Sequence, residues 1–176
     1  LIDKDQDIAV KLATETIDTF EKTYEEKWLN MMRAKLGLLG TDEKDKYLIL
    51  DLLTWMHQNK VDYTNTFCYL MNFKNQENNI YEDNNFSNWK KRWERRSLKN
   101  DSTKKKCIEL MRNNNPLVVP RNHKVEEALN KANKGNLKPF NRLLEVLNKP
   151  YIEQGDITNY QVPSQLSAKY KTFCGT

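Results

Sequence analysis

An all-α fold, a multi-helix bundle over residues 1–150 followed by an irregular tail over 151–176, is predicted by three observations. Apolar residues recur at spacings of three to five through most of the chain, the period of helices with one face inside. Cap-forming residues, glycines and prolines punctuate those periodic segments at their ends. Strand patterning has little support, and no internal repeat is evident.

The elements follow in order. Ile8, Leu12, Ile17, Phe20, Tyr24, Trp28 and Met31 are read as one apolar stripe on a long first helix. That helix should stop near Leu36-Gly37, where glycine supplies a left-handed cap. Thr41 or Asp42 suits the cap of a second helix with Leu48, Leu52, Leu53 and Met56 inward. Asp62 precedes a third carrying Phe67, Leu70 and Met71, and residues 72–85, rich in Asn, Asp and Glu, read as a loop. Ser87 suits the cap of a fourth helix with Trp89 and Trp93 one turn apart; Asp101 or Ser102 suits that of a fifth burying Ile108 and Met111.

Between Asn115 and Pro120 the two prolines impose an extended or irregular strap, because each removes a donor and disfavours helix in its predecessor. A sixth helix is expected from near Asn122 to Gly135, and a seventh with Pro139 in its first turn, ending before Pro150.

A chain of 176 residues makes one domain, or one lobe of something larger, and can bury a core without staples. At 38% hydrophobic and 30% charged it reads as a polar, soluble protein. No apolar run approaches the roughly 18 residues needed to span a bilayer, and no signal peptide is present. Leu1-Ile2-Asp3-Lys4 reads as a cut inside a longer chain. The net charge of +5 comes from 29 basic and 24 acidic residues, interspersed as on a solvated lysine-rich surface. Cys68, Cys107 and Cys174 lie far apart without a C-x-x-C pair, so neither a zinc ribbon nor a disulfide framework is indicated. A reducing, cytoplasmic compartment is expected.

A search for catalytic chemistry returns little. The five glycines are scattered, so no phosphate-cradling loop is formed, and no hydrolase, zinc-protease or kinase-type catalytic motif occurs. His57 and His123 have no ligand partners at metal spacing. Arg112, Arg121, Asn122 and His123 flank the proline strap and suit either of two roles. They could grip a phosphate or carboxylate, or Arg112 could meet helix-end carbonyls while Asn122 caps the next helix. Asp62 poses the same choice between general base or metal ligand and helix cap; its position before an apolar-periodic segment favours the cap. Lys90, Lys91, Arg92, Arg95 and Arg96, near Lys104 to Lys106, form the densest basic patch. Trp89 and Trp93 within it suit a buried helix face better than base stacking, so nucleic acid is not the expected partner. Cys174, two residues before the chain end, has the access that thiol exchange needs.

Six stretches in order resemble the C-terminal region of the selenoprotein O family, also called the YdiU family. They are Trp28 with Met31-Met32-Arg33-Ala34-Lys35-Leu36-Gly37-Leu38, then Asp62-Tyr63-Thr64-Asn65-Thr66-Phe67, then Trp89 to Trp93. Asn115-Pro116 with Arg121-Asn122-His123, Val125-Glu126-Glu127-Ala128, and the Tyr170 to Thr176 tail complete the set. The resemblance implies a parent protein adenylyltransferase: a kinase-like (pseudokinase) portion, upstream of the matched region, would transfer AMP from ATP to protein hydroxyls with Mg or Mn. It implies no catalytic residue and no cofactor in this chain, whose partners would be that upstream portion and the parent's protein substrates. Cys174 matches a position of redox control, where selenocysteine or cysteine bridges to a cysteine near the upstream activation loop; here it would be a free thiol. The chain ends Cys-Gly-Thr where other members end Cys-Ser-Ser, and neither Cys68 nor Cys107 matches that bridge. The alternative is a freestanding helical module whose basic face takes nucleic acid or an acidic partner.

Overall fold

Four helices begin where a side-chain oxygen can take up a free backbone N–H. In the computed structural model, which describes residues 2–73, 78–99 and 103–164, eight α-helices and one 3₁₀ turn form without any strand among the described residues. The helices are α1 (Gln6–Lys35), α2 (Asp45–Gln58), α3 (Tyr63–Leu70), α4 (Asn84–Ser97), α5 (Lys104–Asn114), α6 (Asn122–Ala132), α7 (Lys138–Leu147) and α8 (Thr158–Gln161). Asp5 caps α1, Asp62 caps α3, Asp83 caps α4 and Thr103 caps α5, each accepting from the first turn.

Several boundaries differ from expectation, each for a local reason. Asp83, not Ser87, caps α4, because one carboxylate oxygen serves both the Phe86 N–H and the Trp55 indole N–H at 2.9 Å. Thr103 caps α5; Asp101 and Ser102 lie outside the described residues. α2 starts at Asp45, not directly after Thr41 or Asp42, since Asp42 first folds a turn by accepting the Lys44 N–H at 3.0 Å. Asn122 is the first residue of α6, with Arg121 at the cap position, so Asn122 does not cap it. Within the expected 72–85 loop, Asn78–Glu82 forms a 3₁₀ turn that buries Tyr81.

The core lies where the end of α1 meets α2 and α5, and α2 meets α4. Leu36, Ile49, Leu52, Phe67, Phe86, Met111 and Val146 are fully buried there. Trp89 and Trp93 stack with centroids 6.0 Å apart, and their indoles donate to Leu48 O and Leu36 O, both at 2.8 Å. Both tryptophans are therefore core residues, as the one-turn spacing predicts, and neither can stack on a base. α6 and α7 pair as a hairpin.

Gly37 ends α1 at φ +66°, and a Cβ there would sit 2.6 Å from Cys107 O. Only glycine combines that backbone with so close an approach of α5.

The single apolar stripe expected on α1 does not exist as one surface. Nine residues, two and a half turns, separate Ile8 from Ile17 and place them on opposite sides. Burial begins only near Trp28: Met32 and Leu36 are 1% and 0% exposed, whereas Ile17, Phe20 and Tyr24 are 71%, 66% and 60% exposed. From Gln6 to Lys27 only Ala9 and Ala13 are even partly covered.

Candidate functional site

The motifs that stood apart in sequence converge on one partly buried polar knot. Asp62, at the start of α3, accepts the Asn65 N–H at 2.9 Å and takes a two-pronged contact from Arg121 Nη1 and Nη2 at 2.5 and 2.8 Å. Arg121 Nη2 and Asn65 Nδ2 both donate to Gln161 O at 3.1 Å, and Gln161 Nε2 donates to Leu117 O at 2.9 Å. One knot thus ties α3, the proline strap, the start of α6 and α8.

The strap is held from its other side as well. Asn115 Nδ2 donates to Lys35 O and Met111 O at 2.8 and 2.9 Å, and Lys35 Nζ returns a bond to Asn114 O at 3.2 Å. The Lys35 ammonium lies over the rings of Tyr63 and Phe67; burial lowers its pKa, with Cys68 partly opposing. The Cys68 thiol faces Pro116 O and Leu117 O, and burial, followed by the Asp62 charge, pushes it up to about 11.

This geometry can position chain segments, and it offers no reacting group. Asp62 is occupied by a cap bond and a guanidinium, leaving it in no position to take a proton from a substrate. Arg112 is exposed, with its guanidinium 5.5 Å from the Phe73 ring centre. Asn122 is exposed at the first turn of α6, and His123 beside it is half-buried. Burial, then Lys124 and Arg121, hold the His123 pKa below the usual histidine value, so the ring is neutral near pH 7. Arg121 alone of the four strap-flanking candidates enters the knot, and no group of metal-binding side chains occurs among the described residues.

A second buried charge site escaped sequence reading. Asp45, with no exposed side-chain surface, accepts from Arg33 Nε at 2.7 Å and from Arg96 Nε and Nη2 at 2.6 and 3.0 Å. Burial alone would raise its pKa; the bonds from Arg96 and Arg33 outweigh it and hold the carboxyl below the usual range. In sequence Asp45 is one of several charged residues at a polar helix start, with nothing to mark it as interior.

The two cysteines within the described residues are reduced and buried. Cys107 donates to Ser97 O at 3.1 Å, and burial raises its pKa. Neither has the access or acidity that exchange requires. Cys174 lies outside the described residues.

No helix among the described residues is long and apolar enough to cross a membrane. The family profile described as protein adenylyltransferase SelO matches residues 5–148. A protein nucleotidyltransferase YdiU of Pelagibacter ubique is 49% identical over the whole chain, which covers 37% of that relative. The same-named proteins of Alcanivorax borkumensis and Clostridium perfringens are 41% and 40% identical, again over the whole chain and 37% and 36% of their own lengths. The chain thus spans little more than a third of the curated relatives it matches. With residues 5–148 of 176 inside the family profile, the chain belongs to the SelO family.

Proposed function

We propose that this chain is the non-catalytic C-terminal helical part of a longer protein adenylyltransferase. Its tasks are to brace the upstream catalytic portion and to carry Cys174 for redox control. The upstream portion would bind ATP with Mg or Mn and transfer AMP to protein hydroxyls; the names of the relatives support that class of activity.

The observation that carries the bracing role is the uncovered run of α1. Most of a helix's stability in a protein comes from packing its apolar face, because each ordered residue costs roughly 1–2 kcal/mol of backbone entropy. Ile17, Phe20 and Tyr24 stand on that run with more than half of their surface in water. Covering such a face supplies the missing stabilisation, and a catalytic portion joined to this chain is the occupant at highest effective concentration.

The redox role rests on the family resemblance and on the anchoring of α8. The Asp62–Arg121–Gln161 knot pins the chain at residue 161, from which Cys174 can reach no farther than roughly 45 Å, taking about 3.5 Å per residue. An anchored origin raises the effective concentration of the thiol near any partner within that radius.

Labelled ATP with Mg or Mn tests the reading. Label should pass to protein only when the upstream sequence is joined to this chain, and its amount should respond to reductant until Cys174 is replaced by serine. Transfer by this chain alone would overturn the non-catalytic assignment. Indifference of the intact protein to reductant would remove the redox role.

A further inference from the structure

We propose that the cleft between the first turn of α2 and the C-terminal half of α4 is a binding site for a small multivalent phosphate anion. The cleft has a volume of about 520 Å³, and its lining carries five cationic side chains against two carboxylates. Nothing in the bracing or redox roles uses it.

Its charge comes from a helical ridge. Arg92, Arg95, Arg96 and Lys99 recur at spacings of three and four, which aligns them along one side of α4 and its end. Lys44 faces them from the start of α2. Basic residues at a helix C-terminus also stabilise the helix dipole, and three of these cations are engaged. Arg96 is spent on the buried Asp45, Arg92 meets the half-exposed Asp51 at 2.8 Å, and Lys99 meets Asp42 at 2.8 Å. The Lys99 hydrogen bond, then the Lys44 backbone N–H, hold the Asp42 pKa at about 2, so it remains an anion at neutral pH.

That leaves Arg95 and Lys44, both exposed and without a salt bridge to a described residue. Two exposed cations without a salt bridge to a described residue thus line one concavity, flanked by two more whose surface ion pairs are weak enough to exchange. Mutual repulsion among like charges in a partly walled cleft is relieved by an anion that meets several at once, and a multivalent phosphate fits that demand better than chloride. Tyr47, 69% exposed, forms an open aromatic lip.

Sodium tripolyphosphate titrated into the protein by isothermal calorimetry is the test. Saturable one-to-one binding that weakens with rising salt is expected. The double variant Lys44→Glu/Arg95→Glu should weaken it at least about tenfold, and Arg95→Gln alone should weaken it measurably without reversing a charge. The control Lys131→Glu/Lys134→Glu, in the last turn of α6 and just past its end, outside the cleft lining, should bind as the parent does. Absence of saturable heat, or equal loss in the control, would overturn the site. Both cleft side chains are exposed and have no salt bridge to a described residue, so thermal melts of these variants should match the parent.

Discussion

The two ends of α1 obey the same helical geometry and live in different environments. At its C-terminal end Met32 and Leu36 are sealed into the core, Arg33 reaches the buried Asp45, and Leu36 O receives the Trp93 indole. From Gln6 to Lys27 the same helix carries Ile17, Phe20 and Tyr24 into water. The uncovered part retains a local support in the Asp5 cap, while Thr14, Thr16 and Thr23 donate to carbonyls four residues back, bonds that compete with the helix ladder and slightly weaken it. The cap is worth about 1 kcal/mol, where burial of one large apolar side chain is worth about 1.5–3 kcal/mol. Hydrophobic residues in a helix therefore promise a partner without saying where it is. At one end the partner lies in this chain; at the other the described residues supply none.

Breaking the sealed end should have the largest effect. Asp45→Ala strands Arg33 and Arg96 in the interior and should cost about 3–5 kcal/mol, read as a lower urea midpoint. Gly37→Ala comes next, at about 2–4 kcal/mol, since it meets both the positive φ and the Cys107 carbonyl; thermal unfolding would show it.

Acid probes the same end through charge. The folded-state pKa of Asp42 is depressed from 3.8 to about 2, and that of Asp45 is also lowered. Their stabilising contribution is fully present above the unfolded value of 3.8 and is lost as pH falls toward 2. Urea midpoints should thus be insensitive to these two groups from pH 7 to 5 and drop below about pH 4; Asp45→Asn should flatten that acid limb.

The smallest effect is expected at the open end. Ile17→Ser, Phe20→Ser and Tyr24→Ser should each change the stability of this chain by about 0.5 kcal/mol or less in urea, because each is largely exposed already. In a longer protein carrying the upstream portion the same changes should each cost about 1–3 kcal/mol. Equal costs in both settings would remove the argument that this face is covered there.

Helix content, the Gly37 stop, the Asp62 cap and the burial of Trp89 and Trp93 were legible in the sequence, because each depends on residues within one or two turns. The cap of α4 was misplaced because Asp83 is favoured by a second, distant bond from Trp55, which local spacing does not contain. Of the strap residues, Arg121 alone joins the knot, since its acceptors Asp62 and Gln161 are brought beside it only when α3 and α8 pack.

Local residue order is enough to say where helices run, where they must turn, and which family the motifs resemble. The packing of distant segments sets which apolar faces are covered, which carboxylate is interior, and which basic residues lack an ion pair among the described residues. Periodicity is a property of neighbours along the chain, whereas burial and ion pairing are set by segments that meet from far apart. Asp45 with Arg96, and Ile17 with no cover, are the two opposite outcomes of that meeting.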